Sequence, residues 1–95
     1  MKFISSYKTT RYDIGNGLEG RIKITKENEG TMLEATVLEV AGQSGEEVIV
    51  YKGYVNSYNA APLFGKAYGV LRDEKLCLEF WNEHILKIKE EKGND

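Results

Sequence analysis

Cys77 and His84 are the sole thiol and the sole imidazole in the chain, so any nucleophilic chemistry would fall to them. A cysteine nucleophile needs a base within hydrogen-bond reach. On one continuous helix the two share a face seven positions apart, about 10 Å from each other. That is too far to pair; on a hairpin they would face one another. The simpler role is a small buried hydrophobe and an imidazole on a helix flank. Metal chemistry is equally thin, because there is no cysteine pair, no second histidine and no acidic loop with calcium spacing. No catalytic, metal or cofactor residues are assigned, and the chain reads as a non-enzyme.

Gly15-Asn16-Gly17-Leu18-Glu19-Gly20 spells G-x-G-x-x-G. A nucleotide fingerprint follows a buried strand and opens a helix. Here Arg21-Ile22-Lys23-Ile24-Thr25 follows, an alternating strand, and Asn-Gly is the hairpin signal that requires positive φ.

Recognition chemistry is better represented. From Gly53 to Gly69 the chain carries three tyrosines, two asparagines, its only proline and a single charge, Lys66. Interfaces favour Tyr and avoid Lys and Glu, and Tyr with Ser, Asn and Gly is the composition of recognition loops. Tyr54, Asn56, Tyr58, Asn59, Phe64 and Tyr68 form the candidate partner-binding set. A competing reading has Leu63 and Phe64 plugging the core while the tyrosines brace strands. A second candidate face interleaves cations with aromatics: Lys8, Arg11 and Tyr12, with Arg21 and Lys23 on the neighbouring strand. Small β-domains hold single strands or small ligands through such combinations.

Charge weighs against nucleic acid for that second face. Thirteen basic and fifteen acidic residues leave a net charge of −2, so no global field attracts polyanions. No basic amphipathic helix suggests membrane binding, and no apolar run approaches the roughly 18 residues needed to span a bilayer. Met1-Lys2-Phe3-Ile4 leads into Ser5-Ser6-Tyr7-Lys8 without the apolar core of a signal peptide. One cysteine permits no intrachain disulfide, which favours a reducing, cytoplasmic setting. The expectation is a small intracellular module that binds another protein, or itself as a homodimer. Small single-domain inhibitors and adaptors, including those carried by phages and mobile elements, have this build. The alternative is a small-ligand or single-stranded nucleic-acid binding β-domain.

These residues need elements to position them. The chain has 95 residues, enough for one domain with a modest core; residues 90–95 read as a frayed tail. Turn clusters at Gly15-Asn16-Gly17, Glu27-Asn28-Glu29-Gly30 and Gly42-Gln43-Ser44-Gly45 separate strand-like segments at 3–14, 18–26, 31–40 and 46–55. Leu33, Ala35 and Val37 share a face, whereas Leu38 and Val40 fall on the other, which predicts a bulge or bend there. The segment Val48 to Val55 is apolar on both faces and predicts cover on two sides. Pro62 suggests a connection over 56–66 with one helical turn, then an extended segment at 67–71 and a turn at 72–75. On a helical wheel Cys77, Leu78, Phe80, Trp81, Ile85 and Ile88 fall in one arc, predicting a C-terminal amphipathic helix; residues 76–80 are also compatible with a strand. The fold class is therefore α+β and mostly β: an antiparallel meander of five to six strands, strongly bent, with one C-terminal helix. A small all-β barrel is the alternative.

Overall fold

A computed structural model describes residues 1–5, 9–41 and 46–93. Five strands form one antiparallel sheet in chain order: β1 (Lys2–Ser5), β2 (Thr10–Gly15), β3 (Leu18–Glu27), β4 (Gly30–Glu39) and β5 (Val48–Val55). Two helices follow, α1 (Ala60–Leu71) and α2 (Glu74–Gly93). The sheet is open, with β1 and β5 at its edges, so the barrel alternative is set aside. Lys8 and the expected turn at 42–45 lie outside the described residues, as do Asn94 and Asp95.

The meander follows from its turns. Asn16 and Gly17 link β2 to β3 as a two-residue loop with φ of 55° and 76°. Two positive φ values in succession suit the twist of the flanking strands, and Asn-Gly is the pair that tolerates them. Glu27 then pairs with Gly30, and β3 and β4 stay in uninterrupted register over ten residue pairs. The expected bulge near Val37 is therefore absent from β4. The irregularity lies on the neighbouring strand: Ala35 pairs with Tyr51 and Thr36 with Ile49, leaving Val50 as the extra residue.

Alternation assigns the two faces. Tyr12, Ile14, Leu18, Ile22, Leu33, Ala35 and Val37 are buried beneath the helices with Ala67, Leu71, Cys77 and Trp81. Gly20 and Gly53 let α1 approach the sheet: a Cβ at Gly20 would lie 3.0 Å from Leu71 Cδ2, and one at Gly53 3.0 Å from Leu63 Cδ2. The opposite face carries no helix and is mostly polar, although Met32 is buried on it. Ile49 and Tyr54 of β5 are half-exposed on it, so β5 is covered on one side and not two.

The second correction concerns residues 60–71. They form a helix, not a loop followed by an extended segment, because Leu63, Ala67 and Leu71 recur every four residues and bury one stripe against the sheet. Pro62 is the third helical residue, within the first turn, where its missing N–H leaves no bond unmade. Only Arg72 and Asp73 separate the helices. Asp73 caps α2: its carboxylate accepts from the Leu76 amide at 3.1 Å and its carbonyl from the Cys77 amide at 3.0 Å. Residues 76–80 are thus helical, and there are two helices among the described residues in place of one.

Candidate functional site

The uncharged segment divides when it folds. Asn56 and Asn59 turn inward on the backbone. The Asn56 side-chain carbonyl accepts from the amides of Tyr58, at 2.8 Å, and Asn59, at 3.0 Å. Asn59 reciprocates, accepting from the Asn56 amide at 2.7 Å and donating to the Tyr54 carbonyl at 2.9 Å. The Asn59 carbonyl also receives the Leu63 amide, the first turn of α1. The pair welds the end of β5 to the start of α1, the usual work of such side chains at turns.

The aromatic members separate onto different surfaces. Tyr54 stands on the polar face, with its hydroxyl donating to Glu29 at 3.2 Å. Tyr58 projects from the turn before α1 and is 93% exposed. Phe64 and Tyr68 lie one turn apart on the same stripe of α1, both partly exposed. Leu63, next to them, packs against the core.

Tyr68 shows where that stripe points. Its ring meets Tyr12 of β2 edge-on at 5.7 Å, and Tyr12 meets Phe3 of β1 at 6.0 Å. Such edge-to-face pairs contribute beyond their buried area. Burial, then proximity to Tyr68, pushes the Tyr12 phenol above its usual range. Beyond this aromatic row the helix-bearing face runs out of cover. Ile24 pairs with the buried Leu33 and shares its face, yet is 59% exposed, and Phe3 is 58% exposed. Helix α1 crosses β5, β4 and β3 and α2 packs back toward β5, so the row Phe3, Tyr12 and Tyr68, with Phe64 one turn along α1, forms an aromatic corner, and Ile24 is exposed on the same face four residues along β3 from Gly20. Phe3 and Ile24 were not singled out from the sequence. Ile24 matches the alternation of a core strand, and only the placement of α1 reveals that it is left uncovered.

The second candidate face holds together as a surface but not as a set of free cations. Arg11, Arg21 and Lys23 are on the polar face, whereas Tyr12 is on the other, under α1. Glu19, 3% exposed, accepts from Arg11 Nη2 at 2.7 Å and Nε at 3.0 Å, and from Arg21 Nε at 2.6 Å. Glu47 meets Arg21 at 3.5 Å and Lys23 at 2.9 Å. Bonds from Arg11 first, then Arg21, hold the Glu19 carboxyl below the usual carboxylate range against the opposing effect of burial. The Arg11 guanidinium is correspondingly raised.

Cys77 is fully buried and donates to the carbonyls of Val70, at 3.4 Å, and Leu71, at 3.6 Å. Burial, aided by Asp73, pushes its thiol up to about 11. It stays protonated and unreactive at neutral pH. His84 lies beside Trp81 and 3.2 Å from Glu46, on the flank of α2. No group of three potential metal ligands occurs among the described residues, and no helix among them is long and apolar enough to cross a membrane.

No protein-family model, no curated protein and no solved structure matches this chain.

Proposed function

We propose that this protein acts by binding another protein through the aromatic corner of its helix-bearing face. The observation that carries the reading is the row of rings from the exposed Phe3 through Tyr12 to the partly exposed Tyr68, with the partly exposed Phe64 one turn away on α1. Isolated exposed apolar residues are ordinary, but exposed aromatic rings in contact with one another are the make-up of a docking surface. Phe and Tyr bring large contact area with few rotors to freeze. Tyr58, in the turn before α1, is a separate exposed ring and a second candidate contact. The sealed, protonated thiol of Cys77 supports a binding role over covalent catalysis.

The test compares the wild-type chain with the Phe64→Ala, Tyr58→Ala double variant in affinity capture from the native host. Loss of a specific captured protein, with cooperative unfolding retained, is the expected result. Unchanged capture would refute the proposal. Light scattering on the purified chain separates a foreign partner from a second copy, since a self-pairing surface gives a dimer that the same two substitutions dissociate.

A further inference from the structure

The polar face carries a concavity of about 620 Å³ on the opposite side of the sheet from the aromatic corner, lined by Lys2, Ile4, Arg11, Asp13, Glu19, the Gly15–Gly17 turn and Val40. Its construction follows from local features of three strands. Lys2, Asp13 and Glu19 occupy one cross-strand row, with Arg11 in the next. The irregularity of β1 between Phe3 and Ser5 places Ile4 beside Arg11. At the far wall the Val40 amide donates to the Gly17 carbonyl at 2.9 Å, fastening Val40 to the hairpin turn.

We infer that this concavity is a binding site for a carboxylate with a short apolar body, gripped by Arg11. A guanidinium has five N–H donors in a rigid plane. Glu19 takes two of them along the edge that joins Nε and Nη2. Three donors remain, two of them along the edge joining Nη1 and Nη2, and the Arg11 side chain is 41% exposed. Two carboxylates can bind one guanidinium in this way, each on its own edge. Because Glu19 is buried and also held by Arg21, it fixes the Arg11 plane before a ligand arrives, so little is lost in ordering the fork. Lys2 adds a second cation at the rim. In the lining two cations, Lys2 and Arg11, face two carboxylates, Asp13 and Glu19; Glu19 is held by both arginines and Asp13 accepts from the Gly15 amide at 3.1 Å. Ile4 and Val40, both substantially exposed, offer the apolar wall. This site is independent of the proposed aromatic corner, which lies on the other face.

Two sources supply such a group: a free branched-chain acid and the C-terminal residue of a polypeptide. Titration by nuclear magnetic resonance distinguishes them. The probes are isovalerate, its amide, and a short acetylated peptide ending in valine with a free or an amidated C-terminus. Shifts at the Asn16 and Gly17 amides and at the Arg11 Nε–H are expected with the acids and absent with both amides. An isovalerate dissociation constant on the order of 1 mM fits a ligand of this size, and tighter binding of the free-ended peptide would identify a chain terminus as the source. Arg11→Lys keeps the charge but removes the fork, and should weaken binding about tenfold. Asp13→Asn keeps the acceptor for Gly15 while removing a negative charge at the rim, and should tighten it. Equal response to acid and amide, no response to either acid, or an affinity unchanged by Asp13→Asn would overturn the inference, whatever Arg11→Lys does to the fold.

Discussion

The two faces of the sheet use the same five strands and opposite means of burial. On one, Leu18, Ile22, Leu33, Ala35 and Val37 are sealed under α1 and α2, so water is excluded by apolar packing. On the other, Thr36 and Glu19 are equally buried without a helix above them. Long charged side chains from β2 and β3, with Glu47, cover that surface and pair among themselves. Apolar packing is non-directional and leaves aromatic rings partly exposed at its margin. The ion-pair row is directional and leaves its cations already engaged. The difference explains why a partner surface is assigned to the helix-bearing face, while the polar face is assigned a small site beside one oriented arginine.

The comparison can be broken most severely from the packed side. Leu71 is fully buried between Gly20 and Ile14. Leu71→Ala should cost about 2–5 kcal/mol, a large share of the roughly 5–15 kcal/mol of a whole domain, and chemical denaturation will show it as a lowered midpoint. On the polar face, Glu19→Gln removes the shared acceptor of two arginines. Both guanidiniums are partly exposed and regain water, so the expected loss is smaller, about 2 kcal/mol. A loss as large as that of Leu71→Ala would place the ion-pair row on a par with the apolar core.

The same carboxylate sharpens the contrast through pH. Its native pKa lies below the ordinary value of 4.5, so the unfolded chain binds its proton more readily. The stability this confers is complete above the unfolded value and is lost as pH falls through the native one. Denaturation midpoints of the wild type should therefore drop more steeply below about pH 4.5 than those of Glu19→Gln. Parallel curves would show that the arginines do not stabilise the charged form.

Smaller effects belong to the segment between strand and helix. Asn59→Ala breaks the bonds to Asn56 and Tyr54 and should cost about 1 kcal/mol. Tyr58→Ala, at the most exposed aromatic ring, should change stability by less than about 0.5 kcal/mol. Its effect is expected on binding alone.

The sequence made the sheet legible and hid half of the helical layer. Asn16-Gly17 and the alternation of β3 and β4 are local signals, and local geometry honours them. Helix α1 was obscured by its own residues. Pro62 read as a breaker, yet it falls in the first turn, and a Cβ at Gly65 or Gly69 would meet nothing within 4 Å. The four-residue recurrence of Leu63, Ala67 and Leu71 was the counter-signal. Composition marked the Tyr and Asn segment correctly as unusual without separating its roles. Asn56 and Asn59 close a turn, whereas Tyr68 joins a row of rings whose other members, Tyr12 and Phe3, come from strands distant in sequence. Glu19 likewise read as one more charge near Arg11 and Arg21, because its burial depends on three strands lying side by side.

Site-specific photo-crosslinking in the native host tests the central claim most directly. A benzophenone amino acid is placed singly at Phe64 and Tyr68 on the aromatic corner, and at Lys52 and Tyr54 on the polar face. The account predicts one discrete protein adduct from the first two positions and none from the second two. The same adduct arising from Lys52 and Tyr54, with Phe64 and Tyr68 silent, would contradict it.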